Sequence, residues 1–234
     1  MVTYEIAPKA FTSPRGPESG TFDSLKARLQ YLQELGITAV WLTGHSLADP
    51  HHFCNIWMQY AIIDPDKIEP TLGTPAQLRA LIDEAHWHGI KVLLDVVTHG
   101  LMDSSPIVRS HPEWVRGETW GMRDYDWYGG HTDLDDWFRR WTNYVAQYGV
   151  DGFRLDVEMY RPGLWARVRK NAAAVGHPII LFEENYSAIP GITDFTEGEV
   201  ALGSSSGNEL LRDVPGFMCA SSGSEGSIML QLTT

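Results

Sequence analysis

The sequence is poor in the features that mark several large classes of protein. It has only two cysteines, Cys54 and Cys219, so a framework of disulfide bonds is excluded. No stretch approaches the roughly 18 consecutive apolar residues that a membrane-spanning helix needs. The 18 basic residues face 30 acidic ones and form no long run, so the positive surface that binds nucleic acid is missing. A neutral ligand such as a sugar fits this charge better.

The amino-terminal residues also lack the pattern of a secretory signal. Met1 is followed directly by the strand-like segment TYEIA, with no charged region, apolar stretch and small-residue cleavage site. We therefore expect a cytoplasmic protein that binds neither membranes nor nucleic acid. Its 234 residues, 43% hydrophobic and 21% charged, are typical of one large or two small globular domains.

Short β-rich runs alternate with longer segments of helical period, which indicates parallel strands joined by crossover helices. The predicted strands are TYEIA (3–7), ITAVWL (37–42), IKVLLDVV (90–97), DGFRLDV (151–157) and PIILFEE (178–184). Helices are predicted over 22–35, from the N-cap Thr74 to Gly89, over 132–148 and over 162–174.

The predicted fold class is α/β, a partial (β/α)8 TIM barrel with about five of its eight strand–helix units. A closed barrel of this type needs about 250 residues, more than the chain provides. We assign residues 1–195 to the N-terminal part of this barrel. Residues 196–234 are expected to form an incomplete or irregular segment, with GFMCA and SIMLQLTT as the start of a β-rich insertion.

Charged residues stand at the C-terminal ends of the last three predicted strands. They are Asp95, Arg154, Asp156 and Glu184. Catalytic groups gather at this rim of a parallel barrel. Because side chains alternate along a strand, Arg154 and Asp156 share one face. Burying unpaired charges is costly, so we favour a functional site over the alternative of a structural ion pair.

Two carboxyl groups about 5 Å apart suit the hydrolysis of a glycosidic bond with retention of configuration, one as an ionised nucleophile and one as a protonated acid. We expect Arg154 to keep Asp156 ionised. We expect a less solvated Glu184 to hold its proton near neutral pH.

These segments resemble glycoside hydrolase family 13, the α-amylase family. DGFRLDV is similar to its nucleophile motif, IKVLLDVVTH to its strand-three motif and LFEEN to its strand-five acid motif. Further similar segments are YEIAPKAF, QYAIIDPDKIEPTLGT and HTDLDDW, so the resemblance covers about residues 3–195. It implies a retaining glycosidase that acts on α-glucosidic bonds of oligo- or polysaccharides through a covalent aspartyl-glycosyl intermediate.

The resemblance implies a role for each matching residue. Asp156 corresponds to the nucleophile, Glu184 to the acid/base and Arg154 to the arginine that holds the nucleophile. Asp95 corresponds to the aspartate that anchors this network and Tyr60 to the aromatic platform under the first sugar. The doublet leaves Glu183 as an alternative acid. We prefer Glu184, because the residue before the family's acid is usually small or neutral.

The loop between residues 98 and 131 supplies further candidates. Its aromatic rings could stack on a glucose ring or exclude water from a cleft, with core packing or a lid as the alternative for each of Trp120, Tyr125, Trp127 and Tyr128. Trp127 is taken as the site residue. His99 is a candidate sugar contact, with a structural histidine as the equal alternative.

Two departures from the family pattern matter. In DVVTHG, His99 stands where the family has Asn and Gly100 where it has His. In many relatives that Asn ligates calcium, so no metal is predicted, and no cofactor. The histidines near Cys54 fit no standard ligand spacing either. The second departure is that no His-Asp pair follows residue 184, where the resemblance implies an aspartate on strand seven that binds sugar hydroxyls.

Two alternatives to hydrolysis by this chain follow. An α-glucan transglycosidase uses the same covalent intermediate. A catalytically inactive fragment of the barrel would lack the strand-seven aspartate. Five parallel strands leave two unpaired edges, so we also expect weak stability or self-association.

Overall fold

The computed structural model describes residues 1–16, 18–51, 59–157, 161–184, 189 and 191–196. The predicted β-rich segment therefore lies outside the described residues, apart from Thr196. Within the described stretches, no helix combines the length and apolarity required to cross a bilayer.

Short strands and helices alternate along the chain. The strands are β1 (Thr3–Ile6), β2 (Ala39–Leu42), β3 (Ser46–Ala48), β4 (Ile62–Ile68), β5 (Lys91–Val97), β6 (Gly100–Met102), β7 (Met122–Asp124), β8 (Gly152–Asp156), β9 (Ile180–Glu183) and β10 (Phe195–Thr196). The helices are α1 (Pro8–Phe11), α2 (Phe22–Lys26), α3 (Leu29–Glu34), α4 (Pro75–Trp87), α5 (Pro106–Ser110), α6 (Thr132–Phe138), α7 (Trp141–Tyr148) and α8 (Pro162–Ala174), with a short 3-10 helix at Pro112–Trp114.

A six-stranded parallel sheet organises the chain, in the order β1-β2-β5-β8-β9-β10. Strands that follow one another in the barrel pattern are neighbours in space, and each pair runs parallel. All five predicted strands are confirmed. The two-residue β10 adds a sixth that the sequence pattern did not indicate, since so short a strand has no measurable periodicity.

The sheet has two apolar faces. Phe153 and Leu155 of β8 belong to the large core that includes residues of the surrounding helices, such as Leu78 of α4 and Leu164 of α8. Trp41, Leu93 and Phe182 form a separate buried cluster on the other side. The charged side chains of β8 alternate with its core residues, so they share the face of this second cluster.

Local sequence signals set the ends of the helices whose ranges were predicted correctly. The Thr74 hydroxyl and the Gln77 side chain cap each other's backbone N–H groups at the start of α4, and Pro75 opens its first turn. Gly89, at a φ of 71°, ends the turn that follows the helix. The range of α8 agrees with the prediction.

Two predicted helices are each divided in two. The segment 22–35 forms α2 and α3, because the Arg28 N–H bonds to the Leu25 carbonyl at 2.8 Å, three residues back, and interrupts the α-helical pattern. The segment 132–148 forms α6 and α7 around a similar bond from Arg140 to Trp137 at 3.1 Å. The apolar stripe continues through both breaks, so periodicity alone could not reveal them.

The loops on the C-terminal side of the strands carry two small antiparallel pairs, β3–β4 and β6–β7. The stretch 98–131, predicted as irregular, contains β6, α5, the 3-10 helix and β7. The three-residue strands are too short to produce a sequence signal.

Close packing of β8 against β9 gives the first prediction. A Cβ atom at Gly152 would lie 1.9 Å from the Ile180 carbonyl oxygen, whereas one at Gly163 in α8 would meet nothing within 4 Å. We expect Gly152→Ala to lower the free energy of unfolding by about 2–3 kcal/mol, because the two strands must separate. Gly163→Ala is the matched control and should leave it unchanged or raise it by up to about 1 kcal/mol. Urea unfolding followed by circular dichroism measures both, and equal midpoints for the two variants would contradict this packing.

Candidate active site

The C-terminal ends of β5, β8 and β9 bring the predicted charged residues together. Asp95 of β5 is the register partner of Arg154 in β8, and Asp156 ends that strand. Glu184 directly follows β9. These four side chains form one cluster, which we call the carboxylate cluster.

The Arg154 guanidinium is the centre of the carboxylate cluster. Its Nη1 donates to Asp156 Oδ1 and lies 3.3 Å from Asp95 Oδ1, and its Nη2 lies 3.1 Å from Glu184 Oε2. The guanidinium also lies over the Trp41 ring, 4.7 Å from its centroid. Since Arg154 is buried, these contacts replace the water that it loses.

Asp95 links the carboxylate cluster to Trp41 and Tyr60 through hydrogen bonds. Its Oδ2 accepts hydrogen bonds from Trp41 Nε1 at 3.0 Å and from the Tyr60 hydroxyl at 3.1 Å. Burial raises the pKa of Asp95, while Arg154 and these hydrogen bonds oppose the rise. Burial and the Asp95 charge raise the pKa of Tyr60 well above its ordinary value, so its hydroxyl acts as a donor. Tyr60 thus joins the site.

Asp156 is held through both its side chain and its backbone. Its carbonyl oxygen accepts a 2.7 Å hydrogen bond from the Thr98 hydroxyl. Burial raises the pKa of its carboxyl group to about 8, although Arg154 favours the ionised form, and the charges of Asp95 and Glu184 add to the rise. Three carboxyl groups share one guanidinium, and this imbalance favours protonation, contrary to the expectation that Arg154 keeps Asp156 ionised.

Glu184 is tied to the end of β8. Its Oε2 accepts a hydrogen bond from the Val157 backbone N–H at 2.7 Å. Val157 has a φ of 70°, a left-handed conformation that a β-branched residue rarely adopts. Such backbone strain is typical of functional sites, where surrounding contacts hold it in place.

The expectation that Glu184 is the less solvated carboxyl group is wrong. Its side chain is 33% exposed, against 11% for Asp156. Glu184 stands after the end of its strand, whereas Asp156 lies within the sheet. Both residues were predicted at strand ends, so their positions in the sequence did not reveal which carboxyl group is more buried.

The geometry separates the two members of the Glu183–Glu184 doublet. Phe182 belongs to the second buried cluster, with Trp41 and Leu93. Because side chains alternate along the strand, Glu184 shares this face and Glu183 faces the opposite side. Glu183 is buried beside its register partner Leu155, a residue of the helix-side core. Glu184 is the member of the doublet on the Arg154 face, and its Oε2 lies 3.1 Å from Arg154 Nη2.

His99 lies at the cluster. Its Nε2 is 3.9 Å from Asp156 Oδ2, and its ring packs edge-to-face against Trp120 at 5.1 Å between centroids. The imidazole is buried, which lowers its pKa, and the charges of Asp124 and Glu184 oppose this. The structure thus brings His99 to the site together with Trp120, an exposed ring from the predicted aromatic loop.

Trp127 does not offer the sugar-stacking face that the sequence predicted for it. It is only 5% exposed and packs 4.6 Å from the Phe138 ring centroid in the core. Its Nε1 donates to the Thr98 carbonyl oxygen at 2.9 Å, and Thr98 in turn bonds to Asp156. Because neither face is open to a ligand, we place Trp127 behind the site as a support.

The group of possible metal ligands found in the described part of the chain shares no residue with the carboxylate cluster. His111, Glu113 and Asp133 have ligand atoms within 4.8 Å of one another, but His111 Nδ1 is already 3.1 Å from Glu113 Oε1 and Trp114 bonds to Asp133. We assign no metal to this surface group. His45 is buried, which lowers its pKa to about 4, and the neighbouring His52 and Cys54 lie outside the described residues.

Comparison with known proteins agrees with this architecture. The family model described as "Alpha amylase, catalytic domain" matches residues 5–128, more than half of the chain. The chain is 31% identical over 221 residues to an alpha-amylase, MalA, of Haloarcula japonica, covering 84% of this chain and 31% of that protein. It is 28% identical over 162 residues to a 4-alpha-glucanotransferase of Thermotoga neapolitana, covering 69% of this chain and 34% of that protein.

Solved structures give the same result. A noncanonic maltogenic alpha-amylase, AmyB, from Thermotoga neapolitana superposes with a TM-score of 0.70 at 27% identity, covering 83% of this chain and 48% of that chain. An alpha-amylase from Lactobacillus plantarum superposes with a TM-score of 0.67 at 28% identity, covering 78% and 44%. The match thus covers between 31% and 48% of the length of these four proteins, and the predicted partial TIM barrel is confirmed.

The matched catalytic-domain segment, the parallel sheet and the similarity to these amylases lead to one conclusion. The chain belongs to the alpha-amylase family, glycoside hydrolase family 13.

Proposed function

We propose that this chain carries the catalytic carboxyl groups of a retaining glycosidase that acts on α-glucosidic bonds of oligo- or polysaccharides. The observation that supports this most directly is the bridging of Asp156 and Glu184 by the two terminal nitrogens of Arg154. Because both nitrogens belong to one guanidinium, it holds the two carboxyl groups at the same end of the sheet, and retaining hydrolysis requires such a pair ~5 Å apart.

In the first step, the ionised Asp156 attacks the anomeric carbon of a bound glucosyl unit. The bond from that carbon to the glycosidic oxygen breaks, and Glu184 gives its proton to the departing oxygen. The products are a covalent ester on Asp156 and a shortened sugar. In the second step, water attacks the same carbon, its proton passes to Glu184, and the ester bond breaks to release the sugar and ionised Asp156.

Arg154 and Asp95 orient the two reacting groups in this proposal. Arg154 contacts Asp156 and Glu184 and is itself held by Asp95 and the Trp41 ring. Tyr60 donates to Asp95 and lies at the same end of the sheet, where its ring can support the bound sugar. His99, close to Asp156, is proposed as a further sugar contact.

No step is assigned to calcium. The family resemblance implies an oxygen ligand at position 99, whereas this chain has a buried imidazole whose Nε2 faces Asp156. Calcium prefers oxygen ligands, so His99 does not fit that role.

Substitution of the two carboxyl groups tests the proposal. We expect Asp156→Asn to lower turnover of a chromogenic maltooligoside about a thousandfold or more, because an amide cannot form the ester, and Glu184→Gln to lower it about a hundredfold or more. Glu84→Gln, on the exposed side of α4, is the control and should retain full turnover. Wild-type turnover no greater than that of Asp156→Asn would favour the inactive-fragment alternative.

Product analysis separates hydrolysis from transfer. With added maltose as an acceptor, a hydrolase yields shorter sugars only, because water resolves the ester on Asp156. Formation of longer maltooligosaccharides in the same reaction would instead support the transglycosidase alternative.

Ionisation of Asp156 has opposite effects on turnover and stability. Its folded-state pKa of about 8 exceeds the ordinary 3.8, so the folded chain binds the proton more tightly than the unfolded chain does. The associated stability is complete below about pH 4 and is lost as pH rises through about 8, a decrease of about 2 kcal/mol or more. Turnover needs ionised Asp156 together with a protonated acid, so the ionisation of Asp156 should give the ascending limb of its pH profile.

Chemical denaturation between about pH 5 and pH 8.5, with initial rates on the same samples, measures both effects. Asp156→Asn removes the ionisation, so its stability should change less with pH and should exceed that of the wild type at the alkaline end. Glu84→Gln should follow the wild-type curve. A wild-type stability that rises steadily over this range would contradict the buried, raised pKa.

A further inference from the structure

Trp120 occupies a backbone position that a tryptophan rarely takes. Thr119 and Met122 exchange backbone hydrogen bonds of 3.0 Å in both directions around a two-residue turn. Trp120 and Gly121, the central residues, have φ values of 53° and 76°. Positive φ at both central residues is the signature of a type I′ turn, which favours Asn, Asp or Gly at the first of them. A bulky residue there is strained, and such strain indicates a function.

The strained turn holds the indole ring at the carboxylate cluster. The Trp120 side chain is 60% exposed, although its ring packs edge-to-face on the buried His99 at 5.1 Å. His99 Nε2 in turn lies 3.9 Å from Asp156 Oδ2. The His99 imidazole therefore lies between the indole ring and the proposed nucleophile, and much of the indole surface is exposed to solvent.

Gly100 allows this approach. A Cβ atom at Gly100 would lie 2.3 Å from the Arg123 carbonyl oxygen, so only glycine lets β7 pack this closely against β6. Strand β7 continues directly from the turn that carries Trp120. The unusual sequence His99-Gly100 thus provides both the imidazole under the indole and the space for the strand that positions it.

We propose that Trp120 is a sugar-binding residue, whose indole packs against a glucosyl unit of an α-glucan bound beside Asp156. This inference rests on the proposed function for the identity of the sugar. An indole offers an extended apolar face to the C–H groups of a glucose ring, and its exposed position leaves it accessible from the mouth of the site. The contact adds affinity for longer substrates without taking part in the chemical steps.

Trp87 provides a matched control. It is 78% exposed and, like Trp120, packs edge-to-face on a histidine, with 4.7 Å between its ring centroid and that of His88. Trp87 is the last residue of α4 and precedes the start of β5. It therefore lies near the N-terminal ends of the strands, whereas Asp95 and Asp156 lie towards their C-terminal ends. Trp87→Asn removes the same surface from a place where no sugar is expected.

The experiment measures binding of maltopentaose by calorimetry to the Asp156→Asn chain, which cannot turn the sugar over. We expect Trp120→Asn in this background to weaken binding about tenfold, Trp120→Phe to weaken it less than about threefold, and Trp87→Asn to leave it unchanged. Asn suits the turn, so Trp120→Asn should keep or raise the melting temperature by ~2 °C, and a loss of binding cannot be ascribed to unfolding.

A second readout reports direct contact. Sugar binding should perturb the ultraviolet absorption of an indole, and this difference signal should be smaller in Trp120→Phe than in the parent chain. Unchanged affinity in Trp120→Asn, or no binding of maltopentaose by the parent chain, would overturn the assignment. Binding that depends on Trp120 in a chain whose wild type shows no turnover would support it while contradicting the proposed hydrolysis, so the two failures are distinguishable.

Discussion

The buried guanidinium of Arg154 is the interaction on which the arrangement of the candidate site depends. It contacts Asp95, Asp156 and Glu184, which come from three strands, and lies over the Trp41 ring. Removing one partner from a buried ionic network leaves uncompensated charge, which is strongly destabilising. The network therefore couples the position of every carboxyl group to the pairing of β5, β8 and β9.

One positive charge does not balance three carboxyl groups, and the deficit has chemical consequences. Burial raises the pKa values of Asp95 and Asp156, and the charges of Asp95 and Glu184 raise that of Asp156 further, so protonation of the cluster is favoured. Such a cluster is less stable than an apolar one of the same shape would be. Its retention is consistent with a reaction that needs one ionised and one protonated carboxyl group.

Two residues beside the carboxylate cluster have a strained backbone. Val157 follows the proposed nucleophile and donates its N–H to Glu184, while Trp120 forms the turn that covers His99. Both residues have positive φ, a conformation that neither side chain favours. Surrounding contacts must offset this strain, through the Glu184 hydrogen bond at Val157 and through the two backbone hydrogen bonds that close the turn at Trp120.

The sequence alone determined the five strands, the order of the motifs and the carboxyl and guanidinium groups at the strand ends, because side-chain alternation and apolar periodicity are local properties. Only the tertiary structure decided that Glu184 contacts Arg154 and that Asp156 is more buried than Glu184. It also decided that Trp127 is buried behind the site while Trp120 is exposed beside it. Burial and contact between residues far apart in the chain depend on how strands and loops pack, and local patterns do not record that packing.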